Sequence, residues 1–192
     1  MVNVSMVLPC YNRIDQTIQT INLLLSSNGL GKEFFLEIIV SDSSLDNKLE
    51  IAVKEKFAEK IRYLKPDKPG IATNKNAGAK IASHPILIFC DSDMEVEPDT
   101  IKNTINALNK NKTAAGIGGQ VVWKNGEKNG TLDRPRKEDR MITVDNTTYI
   151  EALYSRYFAT YKKVFFEVGG YDEEVFNMRG EGSDLSIRYW RA

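Results

Sequence analysis

Two aspartates, Asp91 and Asp93, stand one residue apart in the stretch FCDSDMEVEPDTI, directly after the apolar run Ile86 to Phe89. Carboxylates at this spacing suit a hard divalent cation. Mg²⁺ and Mn²⁺ take one or two protein carboxylates and complete their shells with water or phosphate oxygens. In extended backbone, residues i and i+2 point to one side, so both side chains can serve one site. The spacing alone decides nothing: with 12 Asp in 192 residues, chance yields about 0.7 Asp-x-Asp pairs per chain of this length. Other metal-type spacings are missing. The single His84 precedes Pro85 and reads as a turn residue, and Cys10 and Cys90 read as two reduced, partly buried thiols.

Alternating apolar runs and helical stripes must position these groups. Val4 to Leu8 is a short apolar run closed by Pro9, which fits a buried strand. Ile14, Ile18, Ile21 and Leu25 then recur at helical spacing, with Asn12 where an N-cap belongs. FFLEIIVSDSSLDN repeats the pattern, with a strand to about Val40, a polar turn, and a helix over about residues 46–58. IRYLKPDKPG gives a third strand and a loop. IATNKNAGAKIA, rich in small residues, gives a helix packed closely on a sheet, and PILIFCDSD a fourth strand. Pro98 suits N1 of the next helix, whose buried face carries Ile101, Ile105 and Leu108. TAAGIGGQVVW and YIEALYSRYFATYKK read as strands, KVFFEVGGYDEEVF as a short helix with a Gly-Gly turn, and SDLSIRYWRA as the start of a last helix. Residues 124–148 form a polar, charged stretch of the length that functional lids have.

Strand and helix alternate three times in the first half of the chain. This is the pattern of an α/β domain, an open, mostly parallel twisted sheet with helices on both faces. Ligands of such folds bind at the carboxyl ends of the strands, where the strand order reverses. The turns CYNR, SDSSLD and DSDMEVEP are therefore expected to converge.

Composition narrows the classes further. With 42% apolar and 27% charged residues, 192 residues make one medium globular domain. Lys+Arg and Asp+Glu both number 26, so no broad electrostatic footprint for nucleic acid is expected. No stretch approaches the roughly 18 apolar residues that span a bilayer. The N-terminus reads as a first strand rather than a signal peptide. The chain is accordingly expected in the cytoplasm, with any membrane contact peripheral.

Taken together, MVLPCYNR, IIVSDSSLDN, GIATNKNAGAKIA, ILIFCDSDMEVEPDTI, VGGYDE and GEGSDLSIR resemble, in order, the motifs of the family 2 glycosyltransferases. These are inverting enzymes with the GT-A nucleotide-sugar fold. The resemblance runs from residue 4 to the chain end and leaves only about residues 124–148 unmatched. It implies a single GT-A domain, with residues 1–97 as the nucleotide-binding half and 98–192 as an acceptor-side half cut short at its C-terminus. It also implies transfer of a sugar from a nucleotide-diphospho-sugar, a UDP-sugar in the common case, to a saccharide or lipid-linked acceptor in polysaccharide or glycoconjugate synthesis. Asp91 and Asp93 would hold Mn²⁺ or Mg²⁺. Pro9, Tyr11, Asn12, Asp42, Lys75, Asp91 and Ser92 would contact the nucleotide, with Asp42 bonding the base.

The chain departs from the family pattern in two places. Lys75 stands where the family has arginine, so it offers a cation without a planar fork. The family's Gly-Glu-Asp-x-Asp-Leu, whose first Asp after Glu is the presumed base, here reads Gly180–Glu181–Gly182–Ser183–Asp184–Leu185. A base must then come from Glu181 or Asp184 at a helix start, and Glu181 is assigned the role. The alternative is a chain that binds nucleotide sugar and no longer transfers it. Two other classes with similar sheets fit less well. A dehalogenase-type phosphatase carries its Asp-x-Asp on the first strand, and a nucleotidyltransferase opens with a Gly-rich loop that LPCYNR lacks.

Overall fold

The computed structural model describes residues 1–119, 141–144, 147–150 and 155–192. In chain order the elements are β1 (Val2–Cys10), α1 (Ile14–Leu25), β2 (Phe34–Asp42), α2 (Lys48–Phe57), a 3₁₀ turn (Ala58–Lys60), β3 (Ile61–Leu64), α3 (Ile71–Ile81) and β4 (Ile86–Cys90). There follow α4 (Thr100–Lys110), β5 (Gly116–Gly118), β6 (Met141–Val144), β7 (Thr147–Ile150), β8 (Tyr157–Tyr161), α5 (Lys162–Glu167) and α6 (Glu181–Arg191).

Among the described residues the main sheet runs β3-β2-β1-β4-β8-β5. The first four strands in that order are parallel, and β8 is antiparallel to both of its neighbours. The chain steps outward from β1 to β2 to β3, then returns to the other side of β1 as β4. The strand order therefore reverses between β1 and β4, as the α/β pattern requires of a binding edge.

Strands buried on both faces read as continuous apolar runs, because alternate residues feed two different cores. Val4, Met6 and Leu8 of β1 join Ile21 and Leu24 of α1, Val53 of α2, and Ile101 and Leu108 of α4 on one face. Val7, Leu87 and Phe89 join Ala72 and Ala79 of α3, Phe165 of α5 and Leu185 of α6 on the other. The small residues of α3 let it lie directly on β1. A Cβ added at Gly78 would sit 2.3 Å from Val7 Cγ1.

Several local expectations change. β1 runs through Pro9 to Cys10, with Pro9 opposite Ser41 of β2. β4 pairs with β1 only as far as Val7, so Pro9 stands where a second neighbour is missing and its absent N–H costs little. Asn12 is not the N-cap of α1; Arg13 is. Asn12 instead takes a positive φ of 52°, which asparagine tolerates, and its N–H donates to Ser44 Oγ at 2.8 Å. Pro98 lies one residue before the α4 N-cap, Asp99. The strand expected over YIEALYSRYFATYKK is divided, with residues 147–150 pairing with β6 and 157–161 entering the main sheet. The stretch 124–148 has strand structure at its end, in β6; its Lys124, Arg134 and Arg136 lie outside the described residues. Both cysteines are free and fully buried rather than partly so. No helix among the described residues is long and apolar enough to cross a membrane.

At the amino-terminal side of the sheet, Glu37 gathers four donors: Ser5 Oγ (2.5 Å), Arg62 Nη1 (2.5 Å), the Ser83 N–H (2.8 Å) and Ser83 Oγ (2.9 Å). This network ties β1, β2 and β3 to the loop between α3 and β4.

Two stability predictions follow from this packing. Gly78→Ala is expected to cost about 1–3 kcal/mol by overpacking. Because Val7 is the obstructing group, Gly78→Ala with Val7→Ala should cost less than the sum of the single changes in denaturant unfolding. Burial pushes the Glu37 carboxyl upward, but the bonds from Ser5, Ser83 and Arg62 outweigh it and bring the pKa down to about 2. A depressed acid stabilises the fold above its unfolded value, and that contribution is lost as pH falls through about 2. Between its ordinary value of 4.5 and about 2, Glu37→Gln should therefore give a flatter stability-versus-pH profile than the native chain.

Candidate functional site

The carboxyl ends of β1, β2 and β4 meet at one edge, and side chains from α1 and α3 lock their turns together. The Ser43 N–H donates to Cys10 O at 3.0 Å. Asn74 of α3 spans both turns, donating from Nδ2 to Cys10 O (3.1 Å) and accepting from Ser43 Oγ at Oδ1 (2.6 Å). Asp42, at the end of β2, is fully buried. Its Oδ1 accepts from the Ser44 N–H (2.9 Å) and Ser44 Oγ (2.5 Å), and its Oδ2 accepts from Tyr63 Oη of β3 (2.8 Å). Pro9 is buried beside this turn, while Tyr11 and Asn12 are exposed on the same edge.

Asp91 and Asp93 do not lie in extended backbone. β4 ends at Cys90, and residues 91–94 turn, with the Met94 N–H donating to Asp91 O at 3.3 Å. The two carboxylates therefore meet different surroundings. Asp91 faces the interior; its N–H donates to Arg156 O (2.8 Å), while its Oδ1 is buried with no hydrogen-bond partner among the described residues. Burial pushes the Asp91 carboxyl up to about 6 against the opposing pull of Lys75, and the neighbouring charges of Asp93 and Glu181 add to the rise. Asp93 is part-exposed and forms an ion pair with Arg13. Thr20 of α1 pins the turn by bonding Ser92 O (3.1 Å) and Met94 O (2.9 Å), which leaves Ser92 buried between them.

The second half of the chain faces this edge through α6 and the segment leading into β8. Lys75 on α3 has no exposed surface; its Nζ donates to Glu181 Oε1 (3.0 Å) and Ser155 O (3.1 Å) and lies 5.1 Å from the centre of the Tyr171 ring. Glu181, in the first turn of α6, also accepts from Ser155 Oγ (2.5 Å) at Oε1. Burial pushes its carboxyl up, but Lys75 and Ser155 outweigh burial and hold it below the usual glutamate value. Asp184 is not beside them. It pairs with Arg188 one turn along (Nη2 at 2.5 Å, Nε at 3.0 Å), and Arg188 in turn donates to Val168 O.

A clasp from the loop before α6 fixes α3. Asn177 accepts from the Ile71 N–H (2.9 Å) and Ala72 N–H (3.2 Å) at its backbone O, and from the Thr73 N–H (3.2 Å) at Oδ1. Three of the four N–H groups that a helix start leaves open thus find partners. Asn76 bonds Tyr171 O (2.8 Å), Glu173 Oε1 (2.7 Å) and the Tyr171 N–H (2.9 Å), so its work is to hold the Gly-Gly-Tyr-Asp-Glu turn. Sequence reasoning missed Ser155, Tyr63, Asn177, Thr20 and Arg13. Of these only Arg13 carried a signal, as the cation in the polar turn CYNR directly after the first strand.

The donor set suits a hard divalent cation. Among the described residues a buried oxygen of Asp91 lacks a partner, and Asp93, two residues on, offers a second carboxylate that Arg13 now holds; they form no group of three or more potential ligands. Such a site leaves coordination positions for oxygens of another molecule.

The glycosyl transferase family 2 model matches residues 5–170 of this chain. A relative described as a probable N-acetylgalactosaminyltransferase 9, from Caenorhabditis elegans, is 25% identical over 176 residues, covering 80% of this chain and 30% of the relative. The fold is shared with S. aureus TarS 1–349, at a TM-score of 0.73 and 19% identity over 99% of this chain and 55% of that one. TarS 1–349 has also been solved with UDP and with UDP-GlcNAc. A mannosyltransferase, PcManGT of Pyrobaculum calidifontis, in complex with GDP-Man and Mn²⁺, aligns at a TM-score of 0.67 and 18% identity over 95% of this chain and 50% of that one. The chain thus spans about half the length of these solved chains, and their likeness establishes a GT-A architecture.

The Lys75–Glu181 pair gives this arrangement a measurable signature. Removing one partner of a buried ion pair strands the other, at about 3–5 kcal/mol. Lys75→Met should destabilise the fold by that order, and Lys75→Met combined with Glu181→Gln should recover most of the loss in equilibrium unfolding.

Proposed function

Because the chain belongs to glycosyl transferase family 2 and is a glycosyltransferase, we propose that it moves a sugar from a nucleotide-diphospho-sugar, with UDP as the carrier, to an acceptor hydroxyl with inversion, using Mn²⁺ or Mg²⁺. The observation that carries this reading is the buried Oδ1 of Asp91, without a partner among the described residues, close in sequence to Asp93 and at the edge where the strand order reverses. Residues 1–97 would supply the donor side through Asp91 and Asp93, backed by Asp42 and Lys75, which are fully buried rather than in contact with the nucleotide, and residues 98–192 would supply the acceptor side through Glu181. The complexes of TarS with UDP and of PcManGT with Mn²⁺ support a nucleotide donor and a divalent metal.

Asp91 and Asp93 would hold the cation, which when bound supplies Lewis-acid neutralisation of the departing diphosphate. Asp42, expected to bond the base, is fully buried instead, so it would act from behind the nucleotide edge by holding Ser44 and Tyr63 in place. Pro9, Tyr11, Asn12 and Ser92 shape the same nucleotide edge. Lys75 acts from beneath, fixing Glu181 and offsetting the charge of Asp91. Glu181 would accept the hydroxyl proton as the acceptor oxygen attacks. Lys75 and Ser155 fix the orientation of its carboxylate through Oε1.

The acceptor is a saccharide or a lipid-linked glycan on the family's pattern.

Calorimetry and product release test the reading together. Asp91→Ala and Asp93→Ala should each remove the metal-dependent part of UDP affinity, and unchanged affinity in both overturns the metal site. Glu181→Gln should lower turnover by about 10²–10⁴ while donor Kd stays within a few fold. Asp184→Asn should do less, since Asp184 is committed to Arg188. If Glu181→Gln has no effect while Gly182→Asp creates transfer, the native chain binds donors without transferring sugar.

A further inference from the structure

Arg13 follows β1 immediately, caps α1, and has no place in the roles assigned above. Its backbone is fixed, because Arg13 O accepts from the Thr17 N–H (3.1 Å) and Thr17 Oγ1 (2.5 Å). Its side chain lies at the surface: it is 49% exposed and is held only by Asp93 among the described residues, itself 38% exposed. An exposed ion pair of this kind is weak and readily exchanged. The pair therefore contrasts with Lys75–Glu181 at the same edge, where both partners are buried and fixed.

Resting on the reading of Asp93 as a metal ligand, we infer that Arg13 is a displaceable placeholder cation. It neutralises Asp93 while the metal is away, then exchanges Asp93 for the donor's diphosphate when the metal arrives. A divalent ion outcompetes a guanidinium for a carboxylate oxygen that a second carboxylate helps to supply. The freed guanidinium stays tethered at the turn that borders Asp93. A diphosphate brought with a metal that Asp93 helps to hold would be near this turn, and arginine's planar fork matches two phosphate oxygens at once. Arg13 thus disfavours the metal alone and favours the metal–diphosphate pair, which makes the two bind with positive coupling.

Electron paramagnetic resonance of free Mn²⁺ reads metal binding without turnover, and calorimetry reads UDP binding with and without Mn²⁺. Arg13→Gln keeps the reach and removes the charge. Mn²⁺ alone should bind about 2–5-fold more tightly to it, on the scale of an exposed ion pair, while UDP in the presence of Mn²⁺ binds about tenfold or more weakly. Arg13→Lys should hold Mn²⁺ affinity near native and lose only part of the UDP affinity, because it keeps the charge without the fork. Opposite signs in Arg13→Gln are the signature. A change of both affinities in one direction, or an unchanged Mn²⁺ affinity, overturns the proposal. Asp93→Ala separates this failure from that of its premise: Mn²⁺ binding equal to native there means that Asp93 is no ligand, and the proposal falls with the metal site itself.

Discussion

A fully buried lysine, Lys75, is the interaction on which the arrangement of this edge depends. Its ammonium sits on α3 in the first half of the chain, yet it bonds Glu181 and Ser155 in the second half and offsets the charge of Asp91 between them. Burying such a charge is costly unless partners surround it. Here they come from three separate segments, so the ammonium is satisfied only when α3, α6 and the approach to β8 are in register. The chemistry-bearing carboxylates and the folded state of the two halves are thus fixed by one group.

The route by which α3 delivers Lys75 begins with backbone geometry. Gly70 has a φ of 148°, and any Cβ there would run into Asn177, whose side chain and carbonyl take up the first N–H groups of α3. Eight residues on, Gly78 lets the helix settle on Val7 of β1. One glycine admits the clasp and the other admits the sheet. Together they set the height and rotation of α3, and hence which of its residues faces the edge. Asn74 reaches the β1 and β2 turns, Lys75 the buried carboxylates, and Asn76 the Gly-Gly turn, so three consecutive side chains tie three different parts of the molecule.

The legibility of the fold in the sequence follows the same physics. Parallel strands buried on both faces write themselves as apolar runs, and α1 and α4 write their stripes, so the order of elements and the converging turns could be read directly. Asp42, Asp91 and Glu181 could be placed because strand ends and helix starts are positions in a pattern. What could not be read was contact between distant segments. Nothing in VFNMRG announces that Asn177 caps a helix more than 100 residues earlier. Nothing in the spacing of Asp91 and Asp93 tells that the strand ends at Cys90 and gives them unlike surroundings. Local rules also failed where tertiary geometry overrode them. Asn12 has the composition of an N-cap, but its positive φ is spent on reaching Ser44.

The charges at this edge bear on how a donor could be accepted. Asp42, Asp91, Asp93 and Glu181 stand against Lys75, Arg13 and Arg156, and most of that compensation is committed inward or to an exposed pair. Burial raises the Asp91 carboxyl to about 6 against the pull of Lys75, and among the described residues the four carboxylates face only these three cations, a deficit of positive charge. A nucleotide diphosphate brought here alone would deepen that deficit and meet repulsion from Asp91 and Asp93. A divalent ion held as proposed would reverse the sign of the problem, because it would neutralise both carboxylates and leave Arg13 with charge to spare for the phosphates. On the proposed reading, a requirement for metal would follow from electrostatics at this strand end, and Arg13 would keep the resting site from carrying that deficit unopposed.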